Sequence, residues 1–257
     1  MLFDSLGHAT VDGTWLDSEL DASFAKYSKE LEKNDYQGGL VVGLSGKNSY
    51  SHSNFLELAN KYENLYPVAG YNPLNESIEM LAELKNNGFV GIKIHPRFSK
   101  IDLHLEKEKL IECFKKCEEL NLPIFLCTYF HCSAIDIQQT DPFFSFLEIY
   151  KKAPETKVVL VHGGVHDLMK YADLSRFNDG LIIDLSLTMM KYRGSSLDLD
   201  LNFLFRHFDR KICVGSDYPE YNLKEIKDRF EELSLSISNE KKNNISHKNI
   251  KEFLNIK

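Results

Sequence analysis

The chain is 257 residues long, 43% hydrophobic and 27% charged, with a formal net charge of -7. This is an ordinary globular make-up with room for one large α/β domain. It excludes an electrostatic footing for nucleic-acid backbones or anionic membrane surfaces, and no run approaches the roughly 18 apolar residues of a membrane span.

The N-terminus lacks a basic stretch leading into an apolar one, so no secretory signal is expected. None of the five cysteines shows zinc-knuckle spacing, and they are expected to be free thiols of a cytoplasmic protein.

Short apolar runs alternate with amphipathic stretches from end to end. The first run is MLFDSL. The stretch SELDASFAKYSKELEKN follows and predicts a helix opening at Ser18 and Glu19. Next come the runs GGLVVGL and YPVAGYN, then NESIEMLAELKNNG, a helix with Asn75 as cap and Gly88 just past its end. The run GFVGIKIH leads into LEKEKLIECFKKCEELN, where Leu110, Cys113, Phe114 and Cys117 form one apolar stripe. LPIFLCTY precedes DPFFSFLEIYKK, a helix with Pro142 in its first turn. The last runs are KVVLVHG, GLIIDLS and KICVGSD, with EIKDRFEELSLSI behind them. The Lys-rich end, Lys241 to Lys257, predicts a solvated helix face.

Continuous apolar runs of this kind suit strands buried on both faces of a parallel sheet. Eight of them with helices between predict a (β/α)8 barrel over residues 1–257 as a single domain, ahead of an open doubly wound sheet. GLSGKN is not a phosphate loop, since Asn48 stands where Ser or Thr is needed, and no GxGxxG occurs.

Chemistry in such a barrel gathers at the C-terminal ends of the strands. There the sequence places Asp4 to His8 on strand one, Lys93 and His95 on strand four, and Cys127, Tyr129 and His131 on strand five. His162 closes strand six, Asp184 and Ser186 lie on strand seven, and Asp217 closes strand eight. A lone strand-end histidine is ordinarily a turn or core residue. His8, His95 and His162 close three separate strands, and their convergence predicts an active site.

These residues carry a resemblance. LFDSLGH, GIKIHPR, VVLVHGG and VGSDYP, in that order, resemble the amidohydrolase superfamily, in particular its amidohydrolase-2 group of hydrolases, lactonases and decarboxylases. The resemblance spans essentially the whole chain and implies a barrel with a metal-activated water. It also implies a ligand set of a His-x-His pair on strand one, a His on each of strands five and six, and an Asp on strand eight. His8, His162 and Asp217 match that set. Leu6 stands at the first histidine of the pair, and Cys127 at the strand-five histidine.

Two versions of the site stay open. In one, His8, Cys127 and Asp217 hold one zinc or other divalent ion, with His162 free to polarise substrate or shuttle a proton. In the other there is no metal: Asp217 is the general base, and His162, His95 or Arg97 steadies the oxyanion. The metal-free version favours an activated ester such as a lactone over an amide. The plain structural account of Cys127 is a small buried thiol, and that of His8 is a loop residue.

Substrate contacts are expected from His95, Arg97, Lys93, Tyr129, His131 and Arg193, with Lys191 and Tyr192 nearby; the resemblance also offers Lys93 as a carbamylated bridging ligand of a two-metal site, but its KIHP context points to a substrate anion site. The expected activity is hydrolysis of a small anionic or sugar-derived lactone, ester or amide, with Asp217 and His162 catalytic. The alternatives are a degenerate relative kept for binding or regulation, and a decarboxylase on the same scaffold. The expected partner is a small molecule, with no nucleic acid or membrane; a homodimer is left open.

Overall fold

The computed structural model describes residues 1–130 and 140–256. Eight parallel strands follow one another in sequence order around a barrel: β1 (Leu2–Gly7), β2 (Tyr36–Val42), β3 (Leu65–Gly70), β4 (Ile92–Ile94), β5 (Ile124–Cys127), β6 (Val158–Val161), β7 (Leu181–Asp184) and β8 (Ile212–Cys213). Successive strands pair directly, for example Lys93 with Phe125 and Leu126 with Leu160. The seam between β8 and β1 is closed just past β8, where Ser5 N–H donates to the Val214 carbonyl and Asp217 N–H to that of Leu6. The (β/α)8 expectation holds.

Helices α1 (Phe24–Lys33), α2 (His52–Ala59), α3 (Met80–Asn86), α4 (Lys107–Leu120), α5 (Pro142–Tyr150), α6 (Leu168–Arg176), α7 (Leu197–His207) and α8 (Leu223–Ser234) cover the outside. The stripe predicted on α4 is buried as expected, and Gly88 takes φ of 103° just beyond α3. One helix start differs. Ser18–Asp21 is a strand, paired antiparallel with Thr14–Trp15, and α1 begins behind Ser23, whose hydroxyl accepts from Lys26 N–H. Ser18 and Glu19 imitate a cap, but Ser23 supplies it.

Two cores result from the two-residue period of the strands. Ile92, Ile94, Ile124, Leu126, Val158 and Leu160 face the helices. Phe3, Leu6, Leu40, Val42, Val68, Phe125, Val159, Val161, Ile182 and Cys213 fill the barrel. Ile250 and Leu254 of the C-terminal helix Asn249–Leu254 join this inner core, so the Lys-rich end is more than a solvated face. Four cysteines, Cys113, Cys117, Cys127 and Cys213, are free thiols, all buried. Among the described residues no helix is long and apolar enough to cross a membrane.

Candidate active site

At the C-terminal end of the strands a cleft of about 170 Å³ is lined by His8, His95, His162 and Asp217 together with Arg97 and Tyr129. That is a small-molecule volume, comparable to cavities that admit a single aromatic ring. Strand-end residues from β1, β4, β6 and β8 therefore converge, as the sequence predicts.

His162 ends β6 in an unusual way. It takes φ of 68°, and Gly163 and Gly164 follow at 59° and 76°. A Cβ at Gly164 would lie 2.2 Å from the Tyr171 ring, and one at Gly163 would lie 2.8 Å from Ile183. Only glycine fits this turn, which explains the His-Gly-Gly run. The turn is stapled by Thr128, whose hydroxyl donates to the Val161 carbonyl and accepts from Gly164 N–H at 2.7 Å.

The His162 ring is oriented by β7 and its extension. Nδ1 lies 3.1 Å from the Ser186 carbonyl and 3.0 Å from its hydroxyl. The hydroxyl in turn donates to Asp184, which also accepts from the Ser5 hydroxyl. A carbonyl only accepts, and the hydroxyl has already committed its proton. Nδ1 therefore carries the ring hydrogen and Nε2 is a bare acceptor. Burial first, then Lys93 and His8, outweigh Asp217 and hold this ring down at about 4, so it is neutral at pH 7.

His8 is fixed alike: Nδ1 donates to the Val42 carbonyl at 2.8 Å, and Nε2 stands 3.5 Å from Asp217 Oδ1. Its ring stacks on Trp15 at 5.4 Å. His95 has the opposite tautomer. Its Nδ1 accepts from Phe98 N–H at 3.5 Å, which leaves the hydrogen on Nε2. Burial, aided by Lys93 and Arg97, keeps it neutral, well below the usual histidine range.

Asp217 also has a left-handed backbone, φ 55°. Burial works against its charge, but His162, His8 and Lys93 together overcome that and bring its carboxyl down to about 2. It is ionised at any neutral pH.

The remaining expected residues fall at different depths. Lys93 and Cys127 do not line the cleft; they lie beneath it, 2% and 1% exposed. Burial pushes the Cys127 thiol up, against the pull of Lys93, so it is no ready thiolate ligand. The proposed trio of His8, Cys127 and Asp217 is not a cluster: among the described residues no three His, Cys, Asp or Glu side chains are grouped to hold a metal ion. Leu6, at the vacant ligand position, packs into the inner apolar core. This donor set does not fit a metal.

Arg97 and Lys191 stand at the mouth, 4.8 Å and 5.1 Å from the Tyr129 ring centroid. Arg193 turns away and pairs with Glu232 of α8 at 2.9 Å, outside the cleft. His131 lies outside the described residues.

Among the lining residues that sequence reasoning passed over are Trp15, Glu220 and Tyr221. Trp15 donates from Nε1 to Glu220 at 2.6 Å, and Tyr221 lies beside them in the wall. The one tryptophan of the chain, set behind an Asp-Gly turn, was the available signal.

The fold and cleft define a (β/α)8 enzyme with histidines and one aspartate gathered at the C-terminal mouth. A family model described as amidohydrolase matches residues 19–256, and the chain belongs to that family. No curated protein matches. Among solved structures, the barrel is similar to a probable 2-pyrone-4,6-dicarboxylic acid hydrolase from Acinetobacter baumannii, crystallised with citric acid: 17% identity, 99% of each chain covered, TM-score 0.72. An amidohydrolase from Burkholderia multivorans with bound zinc shares 11% identity over 100% of each chain, TM-score 0.70. The 5-carboxyvanillate decarboxylase of Sphingomonas paucimobilis shares 11% over 100% of this chain and 99% of its own, TM-score 0.66. At these identities the likeness is one of fold.

Proposed function

We propose that the protein hydrolyses a small anionic lactone or ester by attack of an activated water. The observation that carries this reading is the pairing of opposite histidine tautomers in one cleft with an ionised aspartate. His162 Nε2 can only accept and His95 Nε2–H can only donate. That division suits a reaction in which a water loses a proton while a carbonyl oxygen gains charge.

In this reading Asp217 and His162 Nε2 orient the water, and Asp217 takes its proton as the oxygen attacks the carbonyl carbon. The carbonyl electrons move onto oxygen, which accepts from His95 Nε2–H. Collapse breaks the ring C–O bond, and the departing alkoxide takes the proton back from Asp217. His162 is thus a water acceptor here and not an oxyanion donor. A carboxyl held at about 2 is a weak base. This favours the better leaving group of a lactone over that of an amide. Arg97 and Lys191, the cations at the mouth, suit a substrate carboxylate. The dicarboxylic acid named for the Acinetobacter relative agrees with that charge.

The test is a panel of small carboxylated lactones and esters, followed by acid release in water enriched in oxygen-18, with evolved carbon dioxide measured in parallel. Hydrolysis with label in the new carboxylate is expected. Carbon dioxide without label uptake would move the reading to a decarboxylase. Ligands that raise the melting temperature and are never turned over would move it to a binding protein.

A further inference from the structure

The walls of the cleft differ in charge, and the strand order sets them opposite each other. With eight strands in sequence order, the ends of β4 and β5 stand across the mouth from those of β8 and β1. Arg97 follows β4 and Tyr129 follows β5. Lys191, from the segment behind β7, also reaches the Tyr129 ring, so both cations of the mouth gather on that one side. Trp15 follows β1 and Glu220 follows β8, and the indole Nε1–H joins them by donating to Glu220 Oε1 at 2.6 Å. All five residues line the same cleft.

Glu220 is exposed, and a glutamate on the surface ordinarily keeps its rotamer freedom. Here it is held from two sides. Its N–H donates to the Asp217 carbonyl at 3.0 Å, so the turn that presents the aspartate also presents Glu220. Trp15, which engages Oε1, is itself 4% exposed and stacked on His8 at 5.4 Å. The other oxygen, Oε2, receives no hydrogen bond from a described residue. A carboxylate oxygen only accepts. It therefore offers a bound molecule a place for a hydroxyl or an ammonium, and it repels a second carboxylate.

We propose that Glu220, aimed by Trp15, determines the specificity of the cleft, and that the molecule it selects is polar at both ends: a carboxylate toward Arg97 and Lys191, and a hydrogen-bond donor toward Glu220. The reacting carbonyl then lies between the two walls, beside Asp217 and the histidines. The inference rests on the cleft being the substrate site, as in the hydrolase reading. It narrows the substrate from any small anion to a monocarboxylate with a donor at its far end. Glu220 and both cations are exposed, so water and salt soften the discrimination. One charge-assisted hydrogen bond gained and one repulsion avoided amount to about a tenfold difference in Kd.

The experiment uses the full-length protein and three flat probes, each a benzene ring with one carboxylate and a second group meta to it: meta-hydroxybenzoate, meta-(aminomethyl)benzoate and isophthalate. Kd is measured by calorimetric titration at low ionic strength for the wild type, Glu220→Gln and Trp15→Phe, with melting curves to verify folding. The wild type should bind one or both donor probes about tenfold more tightly than isophthalate, and the tighter of the two identifies the donor as hydroxyl or ammonium. Glu220→Gln, which keeps an acceptor for Trp15 but no charge, should shrink that gap to about threefold or less, with isophthalate gaining affinity. Trp15→Phe, which keeps a stacking ring but no N–H, should shrink it in part. Should Trp15→Phe fail to fold, Glu220→Gln decides alone.

Isophthalate bound by the wild type as tightly as both donor probes would overturn the proposal. So would a gap unchanged in Glu220→Gln, or no binding of any probe at about 10 mM. A gap untouched by Trp15→Phe would overturn the part given to Trp15. No turnover is needed, so the two readings fail separately. The preference without any hydrolysis upholds Glu220 and sinks the hydrolase, and hydrolysis without the preference does the reverse.

Discussion

Asp217→Asn tests the electrostatics and the chemistry at once. The change keeps size and hydrogen-bonding capacity and removes both the charge and the basicity. The stability effect follows from the carboxyl, which moves from an ordinary 3.8 to about 2 on folding. At about 1.4 kcal/mol per pH unit this corresponds to roughly 2.5 kcal/mol favouring the folded state. The sign is that of a depressed carboxyl: the contribution is complete above about pH 4 and is lost as pH falls through 2. Between pH 5 and 8 the variant should therefore melt lower by a constant amount, on the order of 5–10 °C for a chain of this size. Loss of the general base should lower kcat/KM by at least about a hundredfold on any substrate found by screening. Melting curves across that pH range, and steady-state kinetics well below the melt, supply the two readings. An unchanged melt would refute the charge account of Asp217. A wild-type rate would refute its role in the reaction.

Three further outcomes are expected. The kcat/KM of the wild type should be flat from pH 6 to 8 and fall on acidification with a midpoint near 4, because His162 must be unprotonated to accept and is held at about 4; a midpoint between 6 and 7 would contradict that environment. Arg97→Ala and Lys191→Ala should each raise KM about tenfold for carboxylated substrates with little change in kcat, since both stand at the mouth; a selective loss of kcat would place them in the chemistry instead. Asp4, raised by burial to about 7 despite hydrogen bonds from Ser216 and Tyr27, holds its proton more tightly folded than unfolded. Its contribution is present below 3.8 and is lost as pH rises through 7. Asp4→Asn should thus remove a slope of up to roughly 4 kcal/mol in chemical denaturation measured from pH 4 to 8.

The barrel was legible because a parallel sheet buried on both faces writes itself as continuous apolar runs, and every run became a strand. His8, His95, His162 and Asp217 were legible for a related reason: a barrel sends all strand ends to one mouth. Depth was not legible. The two-residue period puts Lys93 and His95 on the same face, but only packing shows that His95 reaches the cleft while Lys93 stops below it. The direction of Arg193 depended on Glu232, distant in sequence, and no local pattern announces that pair. The hairpin carrying Trp15 was hidden because Ser18 and Glu19 match a helix start as well as a strand does, and pairing with Thr14–Trp15 decided between them.

Two of the site's residues also have an unusual backbone. His162 and Asp217 are both held at positive φ, a conformation that costs a non-glycine residue on the order of 1 kcal/mol or more. Such strain persists only where surrounding bonds over-determine it, and here they do. His162 is gripped at three atoms: its N–H reaches Asp184, its carbonyl accepts from Thr188 at 2.6 Å, and its Nδ1 is satisfied by Ser186. Asp217 N–H is tied to Leu6 across the barrel seam at 2.8 Å. Had these side chains been simple strand caps, an extended backbone would have served at no cost. The bend turns each side chain from the barrel wall toward the cleft, and the bonds that hold the bend also fix which histidine nitrogen faces the substrate. For His162, positioning and proton inventory are therefore set by one network, running from Ser5 through Asp184 and Ser186 to its ring.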